Sequence, residues 1–264
     1  MWAMTFPVTI SVGHHLLPVH LFFEALAYFC GYRYYSWLRG HENDPINEDN
    51  RILIFIGAAA GAFLGSHLLG ILEDPLLLKR ITLLYFMGNT TIVGGLLGGL
   101  MGVELIKKCI GITISSGDLM VFPIILAMTI GRTGCFLSGI SDGTFGIESS
   151  LPWAIDFGDG IHRHPTNLYE IIFWGLLGCL LIGIEKRRLL LNGSRFKILM
   201  VTYLLFRLSI EFIKPAYFFS FGFSVIQLAC IAGLIYYFRF LVGLIKTGSK
   251  TINLTLLKQE SADA

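Results

Sequence analysis

Charge is scarce in this sequence. Asp, Glu, Lys and Arg together make up 14% of 264 residues, while hydrophobic residues reach 54% and the mean hydropathy is +0.69. A soluble domain is nearer a quarter charged, because its surface must face water, so an ordinary soluble globule is excluded. The net charge of +2 is too small to suggest nucleic acid as a partner. Cysteine is also sparse. Cys30, Cys109, Cys135, Cys179 and Cys230 are odd in number, and no two stand at metal-ligand spacing. Neither a disulfide framework nor a metal site is expected, and most of the five read as small apolar residues within helices. No cofactor motif is seen. Residues 1–16 carry His14 and His15 without a basic start, so no cleavable signal peptide is expected and the first span would serve as its own insertion signal.

What the chain does have is apolar length. A membrane helix needs about 20 mostly apolar residues, and spans are expected near 17–38, 52–72, 82–105, 119–138, 167–185, 198–214 and 222–245. The fold class that follows is all-α, a polytopic membrane protein of about seven transmembrane helices. Residues 1–258 form a single integral membrane domain and 259–264 a disordered tail. Fourteen of the 20 Lys and Arg residues, among them Arg33, Arg39, Lys107, Lys186 and Arg187, fall on one side if the N-terminus is outside. The other side and the spans keep only Lys79, Arg80, Arg132, Arg163, Arg207 and Lys214. Cytoplasmic loops carry the positive excess, so the N-terminus is expected outside and the C-terminus in the cytoplasm. That arrangement leaves a long outer segment, about 139–166, between the fourth and fifth helices. It is rich in Gly, Asp and aromatics and too polar to insert, and long segments of this kind commonly cap a cavity.

A charge at mid-bilayer costs about 2.5–3.5 kcal/mol on insertion scales, so it persists where it is paired or useful. Three places stand out. GRTGCFLSG at 131–139 puts Arg132 near the outer end of the fourth span, flanked by Gly131 and Gly134. FRLSIEFIK at 206–214 places Arg207, Glu211 and Lys214 at intervals of four and three, on one helical face. HRHPTNLYE at 162–170 brings Tyr169 and Glu170 into the fifth span. Glycines admit close approach of a ligand or a helix, and guanidinium offers a planar fork suited to phosphate. Two such arginines near the outer leaflet point to an anionic lipid headgroup. Lys79 and Arg80 read as residues snorkelling to the headgroup level. In MGNTTIVGGLLGGLMG at 87–102, Gly94, Gly98 and Gly102 recur every four residues, as do Gly95 and Gly99. Small-residue helix packing accounts for most of that run.

At these residues the sequence resembles the prolipoprotein diacylglyceryl transferases, bacterial membrane enzymes that lipidate the lipobox cysteine. The Gly-Arg-x-Gly signature is similar to Gly131-Arg132-Thr133-Gly134. The Arg-His-Pro-(Ser/Thr)-x-Leu-Tyr-Glu run matches Arg163 to Glu170, and Phe-Arg-x-x-x-Glu-Phe matches Phe206 to Phe212, with Lys214 where an Arg is usual. Gly222 to Gln227 is similar to the family's entry to the last span. There are departures. Val93 stands where the family has a His before Gly94-Gly95. Cys135 stands for an Asn, Ile140 for an acidic residue with Asp142 two further on, and His67 for an Arg.

The resemblance implies transfer of the diacylglyceryl group of phosphatidylglycerol to a prolipoprotein's lipobox thiol, in the bacterial inner membrane. The partners would be phosphatidylglycerol, the prolipoprotein signal peptide and the bilayer. Catalytic roles would fall to Arg132, Arg207, His164 and Glu211. Lys214, Gly131, Gly134, Gly94, Gly95, Tyr169, Glu170 and Asp142 would shape the substrate site. A thiol of pKa about 8.5 needs a base or a positive field. His164, His162, Glu24, Asp142 and the arginine field itself all stay open for that role. Two rivals remain. One is a phosphatidylglycerol-dependent transferase with another acceptor, and the other is a catalytically silent lipid-binding paralogue. A transporter is disfavoured, since no inverted repeat or pair of broken helices is seen.

Overall fold

The computed structural model describes residues 6–12, 15–42, 44–73, 75, 82–186 and 192–243. The expected snorkelling pair Lys79 and Arg80 and the tail at 259–264 lie outside these residues. Helices dominate: α1 (Val19–His41), α2 (Glu48–Leu72), α3 (Leu83–Gly88), α4 (Ile92–Cys109), α5 (Val121–Leu137), α6 (Thr166–Lys186), α7 (Ser194–Ile210) and α8 (Val225–Tyr236). Three stretches are long and apolar enough to cross a membrane, namely Glu48–Leu72, Asp118–Leu137 and Thr166–Lys186, and α8 is a shorter apolar helix. Apolar residues face outward as well as inward. Phe22, Phe29, Ile56, Leu64, Ile172 and Leu176 are all at least half exposed, as expected where the surrounding solvent is hydrocarbon.

Packing runs α1 on α5 on α6, α2 on α4, and α7 on α8. The α2–α4 contact is the closest of these, and glycine makes it so. A Cβ on Gly65 would lie 2.3 Å from the Gly94 carbonyl oxygen, and one on Gly98 would lie 2.3 Å from that of Gly61. The two backbones therefore touch, as small-residue packing allows. Between the helix pairs sits a core of Val93, Trp174, Tyr203, Leu204 and Ile226, each fully buried. Trp174 stacks on Tyr203 with ring centroids 4.9 Å apart.

The expected third span, 82–105, is broken into α3 and α4 at 89–91. Thr91 caps α4 by accepting a hydrogen bond from the Gly94 amide at 3.2 Å, and its own amide donates to the Ser66 carbonyl on α2. The buried His67 ring, through Nδ1, donates to the Phe86 carbonyl at 2.9 Å. Composition favours a continuous apolar helix here, and these side-chain and backbone contacts from α2 override it.

The segment at 139–166, expected to lie outside, contains local secondary structure. A 3-10 turn at Gly139–Asp142 follows α5. Strands β3 (Ile155–Asp156) and β4 (His162–Arg163) then pair antiparallel. These follow β1 (Thr9–Val12) and β2 (His15–Pro18), a hairpin ahead of α1 that the apolar pattern had concealed. Asp156 accepts amide hydrogen bonds from Gly158, Asp159 and Gly160 at 2.8–3.1 Å, which hold its carboxyl below the usual range. Arg163 donates to Asp159 at 2.6 Å and lies over the Phe145 ring. Its charge therefore belongs to the hairpin, not to the membrane site.

Candidate active site

Where α5, α6 and α7 meet, two ion pairs are buried together. Nε of Arg132 lies 2.8 Å from Oε2 of Glu170. Tyr203 donates from its hydroxyl to the other Glu170 oxygen at 3.1 Å. One turn along α7, Nη2 of Arg207 lies 3.1 Å from Oε2 of Glu211. The second Glu211 oxygen accepts from the Ser224 hydroxyl at 3.1 Å. Ser224 and Gln227 form a capping box that starts α8, and Gln227 also donates to the Leu208 carbonyl. The motif ending in Gln227 therefore locks α8 to the charged turn of α7. Lys214 lies within electrostatic range of Arg132, Arg207, Glu170 and Glu211. Glu73, at the end of α2, lies within range of Arg207, Lys214 and Glu211.

The hydrogen bonding of these pairs is incomplete on both sides, Oε2 of Glu211 also lacking an aligned hydrogen bond among the described residues. Nη1 of Arg207 is buried and has no hydrogen-bond partner among the described residues, and Nε of Arg132 makes no aligned hydrogen bond despite its short distance to Glu170. Among the described residues Nη1 of Arg132 reaches the Cys135 sulfur, at 3.6 Å, a weak acceptor. A buried donor left unmade costs about 1–3 kcal/mol or more when charged. An unpartnered Arg207 donor close to a weakly engaged Arg132 donor is chemically suited to anionic oxygens.

The remaining expected site residues divide. Glu170, Glu211 and Lys214 join the two arginines. Asp142 lies within electrostatic range of Arg132, in the 3-10 turn that follows α5. Nδ1 of His20, on α1, is 2.9 Å from Oδ1 of Asp142 and 3.9 Å from the Cys135 sulfur. Thr144 donates to the other Asp142 oxygen and contacts Oδ1 of Asn167 at 2.9 Å. Burial opposes ionisation of Asp142, but the hydrogen bonds from His20 and Thr144 hold its carboxyl below the usual range. His164 instead contacts the Tyr169 hydroxyl at 3.3 Å, which also accepts from the Trp153 indole at 2.8 Å. His162 is exposed on β4. Gly94 packs against Gly65, and Gly134 against Phe23 on α1, whereas Gly131 has nothing within 4 Å of where a Cβ would sit and leaves open space beside Arg132. Gly95 has only loose contacts to Ser66 and Ala62.

Sequence reasoning missed His20, Tyr203 and Glu73. For His20 a signal was present, since His20 and Glu24 stand four apart in an apolar helix. Val93 is fully buried among core side chains and offers no polar group at that position. A cavity of about 460 Å³, separate from these residues, opens beside α2 and α4 and is rimmed by Arg51, Lys107, Lys197 and Arg239. Three of those cations are already engaged. Arg51 binds Asp44 and the Ser116 carbonyl, Lys107 binds Glu104, and Lys197 lies over Phe240.

Comparison with known proteins agrees with the motif geometry. The family described as prolipoprotein diacylglyceryl transferase matches residues 7–243. A phosphatidylglycerol–prolipoprotein diacylglyceryl transferase of Glaesserella parasuis is 27% identical over 226 residues, covering 80% of this chain and 82% of that protein. The protein of the same name in Clostridium tetani is 31% identical over 177 residues, covering 64% and 70%. That of Vibrio parahaemolyticus is 28% identical over 225 residues, covering 79% and 78%. Paired arginines, their carboxylates and the capped entry to α8 thus lie inside one matched region, and the chain belongs to the prolipoprotein diacylglyceryl transferase family of membrane proteins.

Proposed function

We propose that this protein transfers the diacylglyceryl group of phosphatidylglycerol to the lipobox cysteine of prolipoproteins, with release of glycerol phosphate. The observation that carries this reading is a pair of buried arginines, one with Nη1 unpartnered among the described residues and the other with Nη1 on a weak sulfur acceptor. A phosphodiester bound there meets Arg132 and Arg207 with its non-bridging oxygens, and Lys214 adds charge nearby. As the glycerol carbon passes from oxygen to sulfur, negative charge localises on the departing phosphate. Preorganised donors stabilise that charge more than they stabilise the ground state. Glu170 and Glu211 fix the two guanidinium planes, and Tyr169 shapes the cavity wall. The direct test is complementation of a bacterial strain depleted of its own diacylglyceryl transferase. Rescue of growth and of lipoprotein processing supports the reading, and absence of rescue by a well-expressed protein overturns it. Val93, set within the core, favours one competing reading, a silent lipid-binding relative. That relative would bind phosphatidylglycerol vesicles through Arg132 and still fail to rescue.

The arrangement in the bilayer is part of the proposal. Seven spans, the third of them broken, run from an outer N-terminus to a cytoplasmic C-terminus in the inner membrane, with 139–166 as the periplasmic segment. A reporter active only in the cytoplasm is expected to work when fused after Arg188 or at Ala264 and to be silent when fused at Asp156. Activity at Asp156 would put the arginine site on the wrong side for a secreted acceptor.

A further inference from the structure

The reaction needs a group that takes the acceptor thiol's proton, and position 93, fully buried in the core as Val93, cannot supply one. The geometry points elsewhere. We propose, building on the transfer reaction above, that His20 is the general base of this enzyme and that Asp142 is its positioning residue. Nδ1 of His20, the Cys135 sulfur and an Asp142 carboxylate oxygen all lie within 4.8 Å of one another. The carboxylate is the hidden partner and the imidazole the accessible one, their side chains being 6% and 42% exposed. Asp142 is itself fixed by Thr144, whose hydroxyl also meets Asn167 at the start of α6. A buried carboxylate on Nδ1 orients the imidazole and stabilises the imidazolium that forms when Nε2 takes a proton. Among the described residues the other ionisable groups facing this ring are few. Glu24, one turn on along α1, has a carboxylate oxygen 3.8 Å from Nε2. Cys135 faces it from α5, with Arg132 behind the sulfur.

The location fits the chemistry. The 3.6 Å contact from Arg132 to Cys135 and the 3.9 Å contact from Cys135 to His20, laid end to end, put Nη1 of Arg132 at most 7.5 Å from the imidazole. His20 and Arg132 thus flank the same sulfur, Cys135 Sγ, which places the proposed base and the proposed phosphate-binding arginine on one side of the site. His20 also stands at the first turn of α1, level with the outer end of α5. A cysteine at the end of an apolar signal segment arrives at the membrane surface. In the step, Nε2 takes the thiol proton as sulfur attacks the terminal glycerol carbon of the diacylglyceryl group. The carbon–oxygen bond breaks, its electron pair leaves with glycerol phosphate, and the imidazolium returns its proton to that phosphate or to water. Cys135 is not a covalent way-station, because a thioether formed on it would not be displaced by a second thiol.

The test uses the full-length enzyme with phosphatidylglycerol and a lipobox peptide, followed across the pH range around the thiol pKa of about 8.5. His20→Gln is expected to lower kcat at neutral pH by about 10²–10⁴-fold, with KM little changed. Its activity should then recover by roughly tenfold per pH unit as the peptide thiol ionises unaided. Asp142→Asn, which leaves His20 in place, should lower kcat at least about tenfold without raising KM, as loss of an orienting carboxylate does. Activity of His20→Gln within about threefold of wild type overturns the inference, using the usual size of a general-base effect as the yardstick. So does a His20→Gln protein that still binds phosphatidylglycerol but stays inactive at every pH. A wild-type enzyme that transfers nothing to the peptide overturns the functional reading instead, and the base with it.

Discussion

Arg132→Ala and Arg207→Ala are each expected to reduce diacylglyceryl transfer by at least about 10²–10³-fold, the usual cost of removing a donor aimed at developing negative charge. Arg207→Lys should fare little better, because an ammonium is a point charge and cannot both hold Glu211 and present a second donor in the guanidinium plane. The alanine variants also carry a structural cost. Each strands a carboxylate that is almost wholly buried, and breaking a buried pair from one side costs roughly 3–5 kcal/mol. The paired variants Arg132→Ala/Glu170→Gln and Arg207→Ala/Glu211→Gln separate the two effects. They should regain thermal stability in detergent and remain inactive. Transfer from labelled phosphatidylglycerol to a lipobox peptide reads activity, and the unfolding midpoint reads the fold. Wild-type turnover in either paired variant would remove the arginines from the mechanism.

The second large effect concerns packing. Gly98→Ala should destabilise the protein far more than Gly99→Ala, although the two positions are adjacent in the same helix. A Cβ at 98 would lie 2.3 Å from the Gly61 carbonyl oxygen and 2.9 Å from the Gly65 Cα, all of it backbone that cannot swing aside. At 99 the nearest atoms stand at 3.5 Å, an ordinary contact. Overpacking costs typically about 1–3 kcal/mol, and here relief requires α2 and α4 to separate. Gly99→Ala should stay within about 0.5 kcal/mol of wild type, as substitutions without steric conflict do. Thermal unfolding of the two variants in the same detergent compares them directly, and equal midpoints would show that the helices do not approach as closely as described.

Much of this protein was legible in its residue order. Scarcity of charge fixed the helical membrane class, because hydrocarbon admits only backbones that satisfy themselves. The same scarcity made Arg132, Arg207 and Glu211 conspicuous, since a charge placed in an apolar run is costly enough to need a reason. Spacing along α7 also put Arg207 and Glu211 on one face, where they do pair.

Tertiary structure decided the rest, wherever the partner comes from a distant part of the chain. Arg132 on α5 meets Glu170 on α6 across a 28-residue connecting segment, and neither residue's neighbours announce the other. The break at 89–91 is imposed by His67 and Ser66 of α2 on a stretch whose composition favours an unbroken helix. His20 looks from the sequence like one more polar residue near a helix start. Folding brings it within 2.9 Å of a carboxylate more than a hundred residues away. Hydrophobicity is a property each residue carries with it and can be summed along the chain. Hydrogen bonds and ion pairs belong to two residues at once, and only the packed helices determine which two meet.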